Sequence, residues 1–157
     1  MIDDTQLMVM ELASQGYSCA QIIMLGGLRL MGRENPDLGR AMAALANGAS
    51  FGELCGALTG GMCLIAVHTA KGMDDEHPLP GARTLTNALI KWFTQVELKG
   101  RIKPTCRAIF EAAGLNHEPG DMNPAAGCGE LVARTWTRAI QILQENNIDP
   151  TLGRMEA

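Results

Sequence analysis

The sequence predicts an all-α fold, a single-domain bundle of about six to seven helices. Two observations predict it: apolar residues recur at helical spacing from end to end, and no segment alternates apolar and polar residues for long enough to make a strand. A length of 157 residues suits one domain spanning 1–157, with a loosely held tail after about residue 149, and can bury a core without disulfide staples. Apolar residues make up 46%, with 10 Met and only 4% aromatics, so the core is expected to be aliphatic and Met-rich.

The first helix is expected from about Asp3 to Ser14, with Leu7, Met8, Val9 and Leu12 as its apolar stripe and Gly16 as its end. Ser18 is positioned to cap a second helix reaching Met31, stopped by Gly32. After Asn35-Pro36, Leu38 to Ala46 reads as a short third helix closed by Asn47-Gly48; Asn35, Asp37 and Arg40 look like capping residues. A fourth helix is expected from Phe51 or Glu53 to Lys71. Its first turns hold Gly56, Ala57, Gly60 and Gly61, which leave almost no side-chain bulk and would let another backbone or a cofactor approach.

Gly72 to Pro80 is a loop. The fifth helix runs from Gly81 to Leu98, with Leu85, Leu89, Trp92, Phe93 and Val96 at helical spacing. Pro104 suits the first turn of a sixth helix ending at Ala113 before Gly114, and a last helix runs from Cys128 to Asn146 beyond the irregular segment 116–127. Arg134 and Arg138 read as an exposed face.

Thirteen basic and 17 acidic side chains give a net charge of −4, with no broad footprint for a polyanion. Six aromatics provide no stacking platform, so nucleic acid is not an expected ligand. The most apolar stretch, Cys55 to Ala70, is too short to span a bilayer, and no secretory leader is visible; no membrane insertion and a cytoplasmic location are expected.

Five cysteines remain to be explained. Cys19, Cys55, Cys106 and Cys128 each stand at an expected helix start, where the macrodipole favours a thiolate, and each is followed three residues later by a large aliphatic residue. Their spacings of 36, 51 and 22 residues form no zinc knuckle and no Cys-x-x-Cys pair, so only the fold can assemble them. Four such thiols suggest a redox or metal site. Lys99, Arg101, Lys103 and Arg107 surround Cys106, which makes it the expected most acidic thiol, while the bland alternative is a solvated basic loop beside an ordinary buried Cys. Cys63 lies mid-helix and reads as core. His68 ends an apolar helix, His77 sits beside Asp74, Asp75 and Glu76 in a solvated loop, and His117 sits in a turn; no hydrolase elbow or P-loop is present.

The run Cys55-Gly56-Ala57-Leu58-Thr59-Gly60, preceded by Ser18-Cys19-Ala20-Gln21 and followed by the isolated Cys106 and Cys128, resembles the redox-active family named C_GCAxxG_C_C from about Gly16 to Leu143. The resemblance implies a small helical redox protein whose four family cysteines are Cys19, Cys55, Cys106 and Cys128, accessory to an oxidoreductase or transporter system. A related domain occurs in split-Soret cytochromes, but no Cys-x-x-Cys-His is present and no haem is expected.

Two functions follow as expectations. In the first, the four cysteines carry electrons, either as metal ligands of an iron-sulfur cluster, 2Fe-2S favoured, with Gly56 and Gly60 making room for it, or as a dithiol in which Cys106 attacks and pairs with Cys55. In the second, they hold Zn or simply pack, and the protein binds a partner without catalysis. A redox partner protein is expected in the first case. The Met-rich face of the first two helices fits core or a dimer surface, with a homodimer as the weaker expectation.

Overall fold

Three helix starts in this chain are set by short polar side chains, those of Asp3, Asn35 and Thr105, that accept a free amide of the first turn. The computed structural model describes residues 1–115 and 127–154; the expectations for His117 and for 116–126 fall outside them. Among the described residues are seven α-helices: α1 (Asp4–Ser14), α2 (Cys19–Leu30), α3 (Pro36–Met42), α4 (Gly56–Thr69), α5 (Ala82–Trp92), α6 (Cys106–Ala112) and α7 (Gly129–Glu145). Asp3 and Gln6 close a reciprocal capping box on α1, and Ser18 and Gln21 do the same on α2. No helix among them is long and apolar enough to cross a membrane.

Several boundaries differ from expectation, each for a local reason. Asn35 takes the amide of Leu38, so α3 starts at Pro36 rather than Leu38, and it tightens into a 3₁₀ turn over Ala43–Leu45. The fourth helix does not begin at Phe51 or Glu53. Residues Gly48–Gly52 form a separate wide turn, and α4 starts only after Cys55. Pro104 lies outside α6, which Thr105 caps through the amide of Ala108. Beyond Trp92, α5 widens into a π turn over Phe93–Glu97, which leaves Val96 exposed while Leu85, Leu89 and Phe93 stay buried. Leu7 is also exposed, so the stripe of α1 is carried by Val9 and Leu12.

The core lies between α2, α4 and α7. Gly60 of α4 faces α2 so closely that a β-carbon there would stand 3.0 Å from Cα of Ala20; at Gly27 of α2 the space is taken by the side chain of Leu64. Small residues let these two helices approach, and Leu64, Ile22, Ile23, Leu89 and Leu143 fill the remainder. Arg134 is tied to Glu97 at 2.6 Å and so links α7 to the turn after α5, whereas its pair with Glu130 and that of Arg138 with Glu145 lie within α7.

Candidate functional site

Each of the four helix-start cysteines stands where expected: Cys19 and Cys106 are the first residues of α2 and α6, and Cys55 and Cys128 cap α4 and α7. The i+3 partners Ile22, Leu58 and Leu131 are buried, and Ile109 packs against the same core, which turns the four thiols inward.

A pair of backbone hydrogen bonds joins two of these helix starts. The N–H of Cys55 donates to Pro104 O at 3.0 Å, and the N–H of Cys106 donates to Glu53 O at 2.7 Å, closing an antiparallel bridge at Leu54 and Thr105. Arg107 donates to the carbonyl of Phe51 at 2.9 Å and lies across Gly52, which fastens α6 to the turn before α4. Cys19 reaches the same place from α2: its sulfur lies against Gly56, in space that a β-carbon would fill.

That position depends on a left-handed stretch of chain. Asn47, Gly48, Ala49 and Ser50 have φ of 52°, 59°, 54° and 65°, a conformation that costs L-residues roughly 1–2 kcal/mol each. Gly48 is required there, because a β-carbon would collide with the backbone of Glu53. The turn brings the amide of Asn47 to the sulfur of Cys19, joining the amides of Ala20 and of Cys19 itself. Asn47-Gly48 marks the break in sequence, but nothing in Ala49-Ser50 signals that the left-handed path continues through them, and Thr105 preceding Cys106 is the one local cue for the α6 cap.

Burial favours the neutral thiols, and three of the four also feel a neighbouring thiol. Burial pushes Cys55 up to about 12, Cys19 adds to the rise, the amides of Leu58 and Ala57 oppose it without closing a cap hydrogen bond, and Cys128 adds further. Burial takes Cys128 to about 12 as well, with Cys106 and Cys19 contributing, and burial and Cys19 take Cys106 to about 11. Burial also raises Cys19, against the three amides. Cys106 is therefore no acidic thiol. Lys99, Arg101, Lys103 and Arg107 are exposed, whereas Cys106 is only 6% exposed, and desolvation wins.

Cys19 emerges as the hub, since Cys55, Cys106 and Cys128 all feel it; Cys55 and Cys106 do not shift each other. Cys63 feels none of the four. It is half-buried, packs against the core cluster of Ala20, Met24, Leu28 and Met42, and lines a groove of about 440 Å³ with Met24, Met42 and Val67.

The donor set does not fit a preformed metal centre: among the described residues no three His, Cys, Asp or Glu side chains stand in metal-holding arrangement. The bare faces of Gly56 and Gly60 are filled by Cys19 and Ala20 of α2, so their smallness serves helix contact in this fold. In the 72–80 loop, Glu76 accepts the amides of Gly72 and Met73, and the carbonyl of His77 accepts from Arg154.

Compared with known proteins, residues 17–142 match the model of the family described as "Putative redox-active protein (C_GCAxxG_C_C)". No curated protein and no solved structure matches the chain.

Proposed function

This chain belongs to the C_GCAxxG_C_C family, and we propose that it is a thiol redox protein whose working unit is the dithiol of Cys19 and Cys55, with Cys106 and Cys128 as the adjoining pair. The observation that carries this reading is the seat of the Cys19 sulfur on Gly56, next to Cys55, with the other two family thiols sensing Cys19 and the extra Cys63 left out. Cys19 is the attacking thiol, because three amides turn toward its sulfur and stabilise its anion. It replaces Cys106 in that role, and the pairing of Cys55 with Cys106 gives way to one through Cys19.

The chemistry balances with a disulfide-bearing partner protein as electron acceptor. The Cys19 thiolate attacks one sulfur of the partner disulfide, breaking that S–S bond and releasing a thiolate that takes up a proton. Cys55, losing its proton, then attacks Cys19 in the mixed disulfide and releases the second partner thiol. Two electrons and two protons pass to the partner. The accessory role beside an oxidoreductase or transporter system, and a cytoplasmic setting in which such thiols stay reduced, belong to the same proposal.

One observation favours a second reading, an iron-sulfur centre: Cys55, Cys106 and Cys128 all feel Cys19, and four cysteines are the number such centres usually use. A bound cluster would supply one-electron transfer. Against it stand the filled glycine faces and the lack of a ready ligand group.

Anaerobic purification with iron, sulfide and zinc analysis, followed by mass spectrometry of alkylated protein before and after mild oxidation, tests both. The dithiol reading expects substoichiometric metal and a reversible loss of two hydrogens that Cys19→Ser and Cys55→Ser abolish but Cys63→Ser does not. Iron with labile sulfide would move the assignment to the cluster, and stoichiometric zinc without colour would make the thiols structural.

A further inference from the structure

The four basic residues around Cys106 do not acidify its thiol, so their presence at the site calls for another account. Lys99, Arg101, Lys103 and Arg107 are all exposed, and among the described residues Lys99, Arg101 and Lys103 make no ion pair. They concentrate four positive charges within nine residues of a chain whose net charge is −4.

The fold adds apolar surface to this charge. Phe51 is 74% exposed and Leu54 49%, although large apolar side chains gain by burial. Leu54 forms the bridge with Thr105, two residues beyond Lys103, and the carbonyl of Phe51 is held by Arg107. The two apolar side chains thus lie where the end of the basic segment, from Lys103 to Arg107, forms the bridge whose next residues are Cys55 and Cys106, with Lys99 and Arg101 on the exposed chain leading into it. Glu53 is an exposed acid beside them, Glu111 is exposed one turn past Arg107 on α6, and Glu97 is engaged by Arg134.

We infer that this face, built from Phe51, Leu54, Lys99, Arg101, Lys103 and Arg107, is the docking surface for an acidic partner protein that presents its disulfide to the thiols beneath. The inference rests on the dithiol reading above and names the character of the partner. Charge complementarity selects the occupant: in a two-fold pairing with a second copy this basic patch would meet itself and be repelled, whereas an acidic patch on a different protein is attracted and its encounter sped. Phe51 and Leu54 supply the desolvated contact around which such a charged rim is effective.

The test uses defined disulfides in stopped-flow reaction with the reduced full-length protein. The probes are a Glu-rich peptide and a Lys-rich peptide of equal length around the same Cys-Gly-Gly-Cys disulfide, with uncharged 2-hydroxyethyl disulfide as reference. At about 0.01 M salt the Glu-rich peptide is expected to react about tenfold or more faster than the Lys-rich one, the ratio collapsing toward unity near about 0.5 M. A Lys99→Glu, Arg101→Glu, Lys103→Glu variant should invert the ratio, and Phe51→Ala should slow the Glu-rich peptide relative to the uncharged reference.

Equal rates for the two peptides, with the uncharged disulfide still oxidising the protein reversibly, would overturn the docking surface and leave the dithiol reading intact. No reversible oxidation by any probe would overturn the dithiol reading, and the surface with it. Heparin binding that survives physiological salt, without preference for the Glu-rich peptide, would reassign the face to a polyanion and overturn the proposal.

Discussion

The sulfur of Cys19 lies against the bare Cα of Gly56, in the place that a β-carbon at position 56 would take. The carbonyl oxygen of Leu45 closes the same spot at 2.9 Å, so an alanine must displace either the thiol or the backbone. Gly56→Ala is expected to cost about 1–3 kcal/mol and to slow formation of the Cys19–Cys55 disulfide. Gly60→Ala presses on Ala20 one turn further along, away from the sulfur, and serves as the comparison. Urea melts and timed alkylation of both variants check this; equal slowing in the two would mean that helix spacing alone, and not the seat of the thiol, sets the rate.

Alkaline pH should unfold the protein through its thiols. Cys55 and Cys128 titrate near 12 and Cys106 near 11 in the folded chain, against an ordinary 9.0. A folded value raised above the unfolded one means that the folded state holds the proton more tightly. The stabilisation is therefore complete below about pH 9 and is lost as pH climbs toward 11 to 12. Thermal melts from pH 7 to 11 should show the midpoint falling above pH 9, less steeply in Cys55→Ala. At pH 8, Cys55 should carry about a thousandfold less thiolate than a free cysteine, so native alkylation should reach half-buried Cys63 first.

Ala49 offers a test of the left-handed turn. With φ of 54° it sits in a conformation that glycine adopts without the usual L-residue cost of roughly 1–2 kcal/mol, which offsets the larger entropy a glycine loses on folding. Ala41, exposed in α3, has no such strain to relieve. Ala49→Gly is expected to be neutral or stabilising by up to about 1 kcal/mol, and Ala41→Gly destabilising by about 1 kcal/mol. Denaturant midpoints for the two variants decide it; similar losses in both would remove strain as a feature of the turn.

What the sequence made legible were the features written in single turns of chain. Ser18 and Asn35 mark helix starts by their capping side chains, the four cysteines mark them by position, and Gly16, Gly32 and Gly114 mark ends by positive φ. The start of α4 was hidden, because Ala49 and Ser50 take a left-handed path that neither residue prefers. The acidity assigned to Cys106 failed for a related reason: cations close in sequence point to solvent, while the sulfur is turned under the bridge and burial governs it. The glycines after Cys55 announced a close approach without saying of what. The approaching group is α2, through Cys19 on Gly56 and Ala20 on Gly60, contacts that sequence spacing does not announce.

Thr105 joins the local and the tertiary parts of the site, and its removal separates them. Its side chain accepts the amide of Ala108 at 3.3 Å to start α6, and its residue forms the bridge with Leu54 that aligns Cys106 with the start of α4. Thr105→Ala should cost about 1 kcal/mol through the lost cap. Because α6 has only seven residues, the loss should appear as local opening rather than global unfolding. Hydrogen exchange is expected to quicken at the amides of Cys106 and Ala108, and alkylation of Cys106 to rise severalfold, while Cys19 and Cys55, seated on α2 and α4, keep the wild-type rate. A uniform rise at all three thiols would mean that α6 is coupled to the whole bundle and that the bridge is not an independent hinge of the site.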